Sequence, residues 1–185
     1  TTHTLNGCVV DKAVFTGEVG QPIELTIHCI GTTESTLDTD SSPAVAIDTE
    51  PFYVFHQGVM TTEGGSKNHK KFVLVIDNKV TPEYYQSQTV TDLCPQNREV
   101  LLGFHAGWGG QSALYSTNKA SSAGATGTLV LTNSGYSTTF TFGNLKTWAK
   151  TPNIEGKHEI MLPIQYKAFQ SGATKELVVT HDAAA

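Results

Sequence analysis

Seven histidines, three cysteines and a scatter of carboxylates and hydroxyls are the groups in this chain able to hold a metal, move a proton or attack a bond. The histidines stand at positions 3, 28, 56, 69, 105, 158 and 181, with no H-E-x-x-H and no H-x-H among them. A protease-type zinc site needs two histidines one helical turn apart, so a zinc or general-base role has no spacing behind it. His28 falls on the polar side of an alternating pattern and reads as a surface or interface residue. Asp38, Asp40 and Ser42 begin like a calcium loop. The pattern then fails, because Pro43 stands where the turn needs glycine and Thr49 where a bidentate glutamate should close the coordination. That stretch reads as a solvated acidic loop.

Gly107-Trp108-Gly109-Gly110 is glycine-rich but lacks the Lys-Ser/Thr ending of a phosphate-binding loop. It reads as a bend after a strand, with Trp108 as a candidate platform for stacking a sugar. No G-x-S-x-G elbow occurs among the many serines, so a nucleophilic triad has no support. Paired carboxylates for glycoside chemistry meet in space rather than in sequence, and nothing here points to a pair. Cys8, Cys29 and Cys94 are odd in number and have no C-x-x-C spacing. Cys8 and Cys29 fall in consecutive strand patterns. They would pair in an oxidising compartment and stay small buried thiols in cytoplasm, and the reduced state is the favoured reading. No catalytic group, metal, cofactor or small-molecule substrate is therefore expected, and function is to be sought in surfaces and assembly.

The composition agrees. At 185 residues the chain can bury one substantial core, and it reads as a single domain over residues 1–185. Only 16% of residues are charged while Thr, Ser and Gly abound, which suits strands with hydroxyl-bearing outer faces better than a helical bundle. Twelve basic against seventeen acidic residues give a net charge of −5, the wrong sign for gripping a duplex. Lys67-Asn68-His69-Lys70-Lys71 is the one basic cluster and reads as a solvated loop and strand edge. No apolar run approaches the roughly 20 residues that span a bilayer, so no membrane partner is expected. The first residue is Thr, which reads as a processed or trimmed start.

The elements follow from period-two alternation. Residues 7–14 and 23–30 read as the first two strands, joined by a turn over 17–22. In the second, Ile23, Leu25, Ile27 and Cys29 share one face, expected to be buried. Residues 31–50 read as a long Thr-, Ser- and Asp-rich loop, and connections of that length are often functional. Leu37, Asp38, Asp40, Val45, Ile47 and Asp48 within it are the candidate inter-subunit residues. Phe52 to Phe55 reopens the core, and Phe72 to Ile76 is the most apolar strand. Residues 99–105 form another strand, and 111–121 the best helix candidate. Leu129–Thr132 and Tyr136–Phe142 form a hairpin about Asn133-Ser134-Gly135, with Phe140 and Phe142 on one face. Trp148 falls in a link. Ile160, Leu162, Ile164, Tyr166 and Ala168 share one buried face of a last long strand, expected to form a hairpin with Leu177–Thr180. Eight or nine strands and at most one short helix predict a mostly β fold, a sandwich or barrel.

Three segments in order carry a resemblance. The first is Asn6 to Val14, opening Gly7-Cys8-Val9-Val10, with the turn and the strand to Gly31 after it. The second is Asp48-Thr49-Glu50-Pro51-Phe52, then Ile76-Asp77-Asn78-Lys79-Val80-Thr81-Pro82-Glu83-Tyr84-Tyr85, with Arg98-Glu99-Val100 beyond. The third is Pro152 to Gly156, the long strand to Ala168, then Ser171-Gly172 and Leu177–Thr180. Together they resemble the tail tube (major tail) proteins of long-tailed bacteriophages and prophages, over most of the chain. Many relatives carry a sizeable stretch before the Gly-Cys opening, where this chain has a few residues. The resemblance implies a non-enzymatic virion protein with a β-sandwich and a flanking helix, assembled in the host cytoplasm. It implies rings of six copies, stacked into a tube with other tail proteins, through which DNA passes without specific binding. Residues 31–50 would make neighbour or ring-to-ring contacts. The rival readings are a pilin or adhesin domain, which predicts a Cys8–Cys29 disulfide, and a carbohydrate-binding module using Trp108 or Trp148.

Overall fold

The computed structural model describes residues 2–38, 52–62, 65–107, 124–149 and 160–182. Among them are fourteen strands and a 3-10 turn, Phe55–Gln57. The strands are β1 (Thr2–Asn6), β2 (Val9–Glu18), β3 (Glu24–Ile30), β4 (Thr33–Asp38), β5 (Gly58–Thr62), β6 (Gly65–Ser66) and β7 (Lys71–Asp77). They continue as β8 (Thr81–Glu83), β9 (Asp92–Cys94), β10 (Glu99–Gly107), β11 (Ala125–Asn133), β12 (Tyr136–Ala149), β13 (Met161–Phe169) and β14 (Leu177–Asp182). The chain is mostly β, with antiparallel pairing and a sandwich-like fold, as its alternation predicts. The helix expected over 111–121 lies outside the described residues.

One compact unit gathers Val14–Leu25, Pro51–Val75 and Val100–Ala185. Its centre is the row β10, β13, β12, β11, β5, β6. Alternation decides which side is buried. Leu102 lies opposite Tyr166, Phe104 opposite Ile164 and Ala106 opposite Leu162, and all six are buried. Leu129 sits between Phe140 and Met60 in the same way. Phe104 stacks on Tyr166 at 5.9 Å, and Phe15 meets Phe140 edge-on at 5.0 Å. Ser134 and Gly135 both take positive φ, 46° and 95°, which is the two-residue turn that matches strand twist in a hairpin.

The closing strands differ from expectation. β14 does not fold back on β13; it pairs with β12. Asn144 faces Phe169 of β13, while Phe142, two residues earlier, faces Leu177 of β14. β11 occupies the opposite edge of β12 from Tyr136 to Leu145. β13 and β14 therefore lie end to end along one edge, and residues 170–176 loop out between them. Gly143 marks the spot. It and Asn144 oppose Thr126 alone, because Ala125 pairs with Leu145 and Gly127 with Phe142. This bulge switches the buried parity of β12 from Phe140 and Phe142 to Leu145. A side chain at Gly143 would meet the carbonyl oxygens of Lys175 at 2.6 Å and Phe169 at 3.3 Å. Trp148, expected in a link, belongs to β12, where it faces Gln165. Phe55 is buried as expected, but Phe52 is exposed.

The other unit gathers Thr1–Ala13, Thr26–Glu50 and Ile76–Glu99. Here β1 pairs with β4 and β8 with β9. The first residues of the connection read as a loop over 31–50 are thus a strand. Among its described residues, Val80 and Leu93 are the buried apolar ones. Much of its cohesion is polar. Asn78 donates from Nδ2 to the Val10 carbonyl at 2.8 Å, and its backbone N–H donates to the Asp11 carbonyl at 2.7 Å. The Asp11 carboxylate accepts from the Val80 N–H at 2.8 Å, and Arg98 Nε donates to Asn78 Oδ1 at 2.9 Å.

Candidate functional site

A strand with one apolar face is ordinarily stable only when that face is covered. β3 breaks this rule. Every residue from Glu24 to Cys29 is exposed, on both parities. Leu25 is 48% exposed and Ile27 51%. The face expected to be buried is open, and only Ile23 and Ile30, at the two ends, are half-covered. The alternation was genuine, but no other part of the described chain covers it. β3 also takes the outermost place in the strand order, with β2 as its neighbour. Among the described residues no strand pairs with its outer edge, which is the usual liability of an edge strand.

Other apolar side chains are open too. Val9 and Val10 of β2 and Leu5 of β1 are exposed, as are Tyr84 and Tyr85 after β8. On β14 only Leu177 is buried, and Val178 and Val179 face outward. Near the β2–β3 turn a shallow cleft of about 380 Å³ lies among Thr16, Glu18, Gln21, Glu24 and Lys71. Its lysine is held by Glu18 at 3.0 Å.

The candidate residues of the 31–50 segment separate. Leu37 and Asp38 close β4, with Asp38 opposite Thr2. Asp40, Val45, Ile47 and Asp48 lie outside the described residues, as does Trp108. His28, His56, His105 and His181 are exposed. His181 Nδ1 lies 2.9 Å from Thr138 Oγ1, whose hydroxyl also meets Tyr53 Oη at 3.1 Å. No group of three His, Cys, Asp or Glu able to hold a metal exists among the described residues. Also among them, no helix is long and apolar enough to cross a membrane.

The three cysteines are free thiols, with Cys8 and Cys29 exposed rather than buried as expected. Cys8 Sγ donates to the Leu5 carbonyl at 3.6 Å. Burial pushes the Cys94 thiol up, and the Asp92 and Glu83 carboxylates push it further, so it stays protonated and a poor nucleophile. Lys79 is raised by the hydrogen bond and charge of Glu99, 2.9 Å away.

The hub of Asp11, Asn78 and Arg98 was not assigned a role from sequence, yet each residue lies in one of the segments that carried the resemblance. The family model for phage tail tube protein matches residues 1–168. The chain belongs to the phage tail tube protein family. No curated protein matches it at a significant level. The tail tube protein is thus a structural component of the phage tail. In this tube protein the match takes in β1 to β12 and most of β13, and β14 lies beyond it.

Proposed function

We propose that this tail tube protein self-assembles into stacked rings, six chains to a ring, forming the conduit through which phage DNA passes. The observation that carries the reading is the open apolar edge strand β3. Covering Leu25 and Ile27 would stabilise an interface by about 1 kcal/mol each, since about half of each side chain's surface is open to be buried. Pairing of the outer backbone would add direction. A ring closes when one patch meets a different patch on the next copy, and this edge provides one such patch. The net charge of −5 suits a wall that must not hold DNA, because like charges do not adhere. The tube is assembled in the host cytoplasm with other tail proteins.

The test is Ile27→Lys. Wild-type protein, concentrated and reduced, is expected to show rings or hollow tubes by negative-stain electron microscopy. Ile27→Lys should keep the wild-type unfolding free energy in urea within about 0.5 kcal/mol, because the side chain is exposed, and give only monomers. Tubes from Ile27→Lys in wild-type yield would sink the role of β3. Wild-type monomers at every concentration would count against self-assembly itself.

A further inference from the structure

His69 sits in the segment between β6 and β7, and its environment is unusual for a histidine. Three aromatic rings surround it: Phe55 at 5.1 Å, Phe72 at 6.0 Å and Phe104 at 6.3 Å between centroids. Nδ1 lies 2.9 Å from the Lys67 carbonyl. A carbonyl only accepts, so Nδ1 carries the proton and the neutral ring leaves a lone pair on Nε2. Nε2 is buried and has no hydrogen-bond partner. Neutral imidazole tolerates this, because an unused acceptor among aromatic rings costs less than a charge there. Protonation would place an N–H without an acceptor, and a full positive charge, inside that cage.

The segment so anchored holds its neighbours by backbone bonds. The Lys67 N–H donates to the Met60 carbonyl at 2.8 Å, and the Lys70 N–H to the His105 carbonyl at 2.9 Å. The Lys70 carbonyl accepts from the Val19 N–H at 3.1 Å, at the start of the β2–β3 turn. We propose that His69 is an acid-sensitive latch: neutral, it fastens residues 67–70 to the aromatic core, and protonated, it releases them and with them the Val19 end of the β2–β3 turn.

The segment itself carries Lys67 and Lys70, the 3-10 turn carries His56, β7 carries Lys71 and β10 carries His105. Among the described residues, Glu18 of β2 brings a carboxylate to this neighbourhood, and Lys71 holds it at 3.0 Å. β5 contributes no charge. Burial lowers the affinity of His69 for a proton, and the Lys67 carbonyl only partly offsets this. An unfolded chain would bind that proton near pH 6.5. The segment is therefore fully held above pH 6.5, and its stability falls as pH drops from there through the lowered native value.

The experiment is an NMR titration of the full chain from pH 8 to pH 4, with amide exchange read at Val19, Lys67 and Lys70. The His69 imidazole, assigned by its contacts to the Phe55, Phe72 and Phe104 rings, is expected to titrate below 6.5, the value of an unburied imidazole. Protection of the three amides, corrected for intrinsic exchange, should fall at least tenfold across that titration. In His69→Phe protection should not change with pH. Equal loss of protection in His69→Phe would overturn the latch. Should that variant not fold, the wild-type curve decides, and a His69 titrating at or above 6.5 overturns it.

Discussion

Arg98 reaches back across twenty residues of chain to bond Asn78, its Nε donating to the Asn78 side-chain oxygen at 2.9 Å. The other end of the same amide donates to the Val10 carbonyl. One side chain thus ties the start of β2, the end of β7 and the start of β10. An asparagine suits the position because its amide both donates and accepts. Beside it, Lys79 takes φ 48°, a turn that the Asp77 carboxylate supports by accepting the Lys79 N–H at 3.0 Å.

Asn78→Ala should therefore loosen this unit. Two exposed side-chain bonds are lost, each worth about 1 kcal/mol net, so a loss of about 1–2 kcal/mol is expected from urea unfolding. Asn78→Asp keeps the acceptor for Arg98 and loses the donor to Val10, so it should fall between wild type and alanine. An alanine variant as stable as wild type would remove the hub from the account of this unit.

Lys79 and Glu99 offer a contrast in the same neighbourhood. They form a short ion pair at 2.9 Å, but the lysine is in water. Lys79→Met should leave the urea unfolding curve close to that of wild type, because exposed pairs lose in side-chain entropy and screening most of what they gain. A loss comparable to that of Asn78→Ala would show that the pair acts together with the hub.

Gly143→Ala should act on β14. The new methyl would press on the carbonyls of Lys175, Phe169 and Thr174, which arch over the bulge. Backbone oxygens cannot swing away as a side-chain end can, so the loop 170–176 must move. The Gly143 N–H bond to the Glu176 carbonyl, 3.3 Å, would go with it. A destabilisation of about 1–3 kcal/mol is expected. Amide exchange should rise first in β14, because only Leu177 of that strand is buried. Unchanged exchange there would mean that the loop tolerates the methyl.

The strands with one wet and one dry face were legible from the chain. The parity of Leu162, Ile164, Tyr166 and Ala168 is that of the buried face of β13, and the Ser134-Gly135 turn joins the hairpin expected. Two readings failed for one reason, that alternation tells which residues share a face but not what lies against it. Leu25 and Ile27 share a face, yet nothing described in the chain covers it. Leu177–Thr180 is a strand, yet its partner is β12, because the seven residues before it form a loop-out rather than a hairpin turn. The Asn78 hub was visible as a pattern at the end of a strand. Its mechanism was not, since Val10, Asp11 and Arg98 meet it only in space.

The segment after β4 gives the sharpest test of where neighbouring copies touch. A deletion of residues 34–47 would remove most of β4, which pairs with β1 from Asn6 to Thr2. Loss of tubes from that variant would report only a damaged ribbon. A deletion confined to 40–47 spares β4 and takes Asp40, Val45 and Ile47, leaving Asp48. We expect this variant to unfold in urea like wild type and to keep amide protection across β1 and β4. It should form isolated rings or monomers under conditions where wild type forms tubes, if the neighbour contacts proposed for this segment are its own and the β3 edge remains. Tubes of normal length from it would assign those contacts elsewhere, and the exposed Tyr84 and Tyr85 would be the next residues to change.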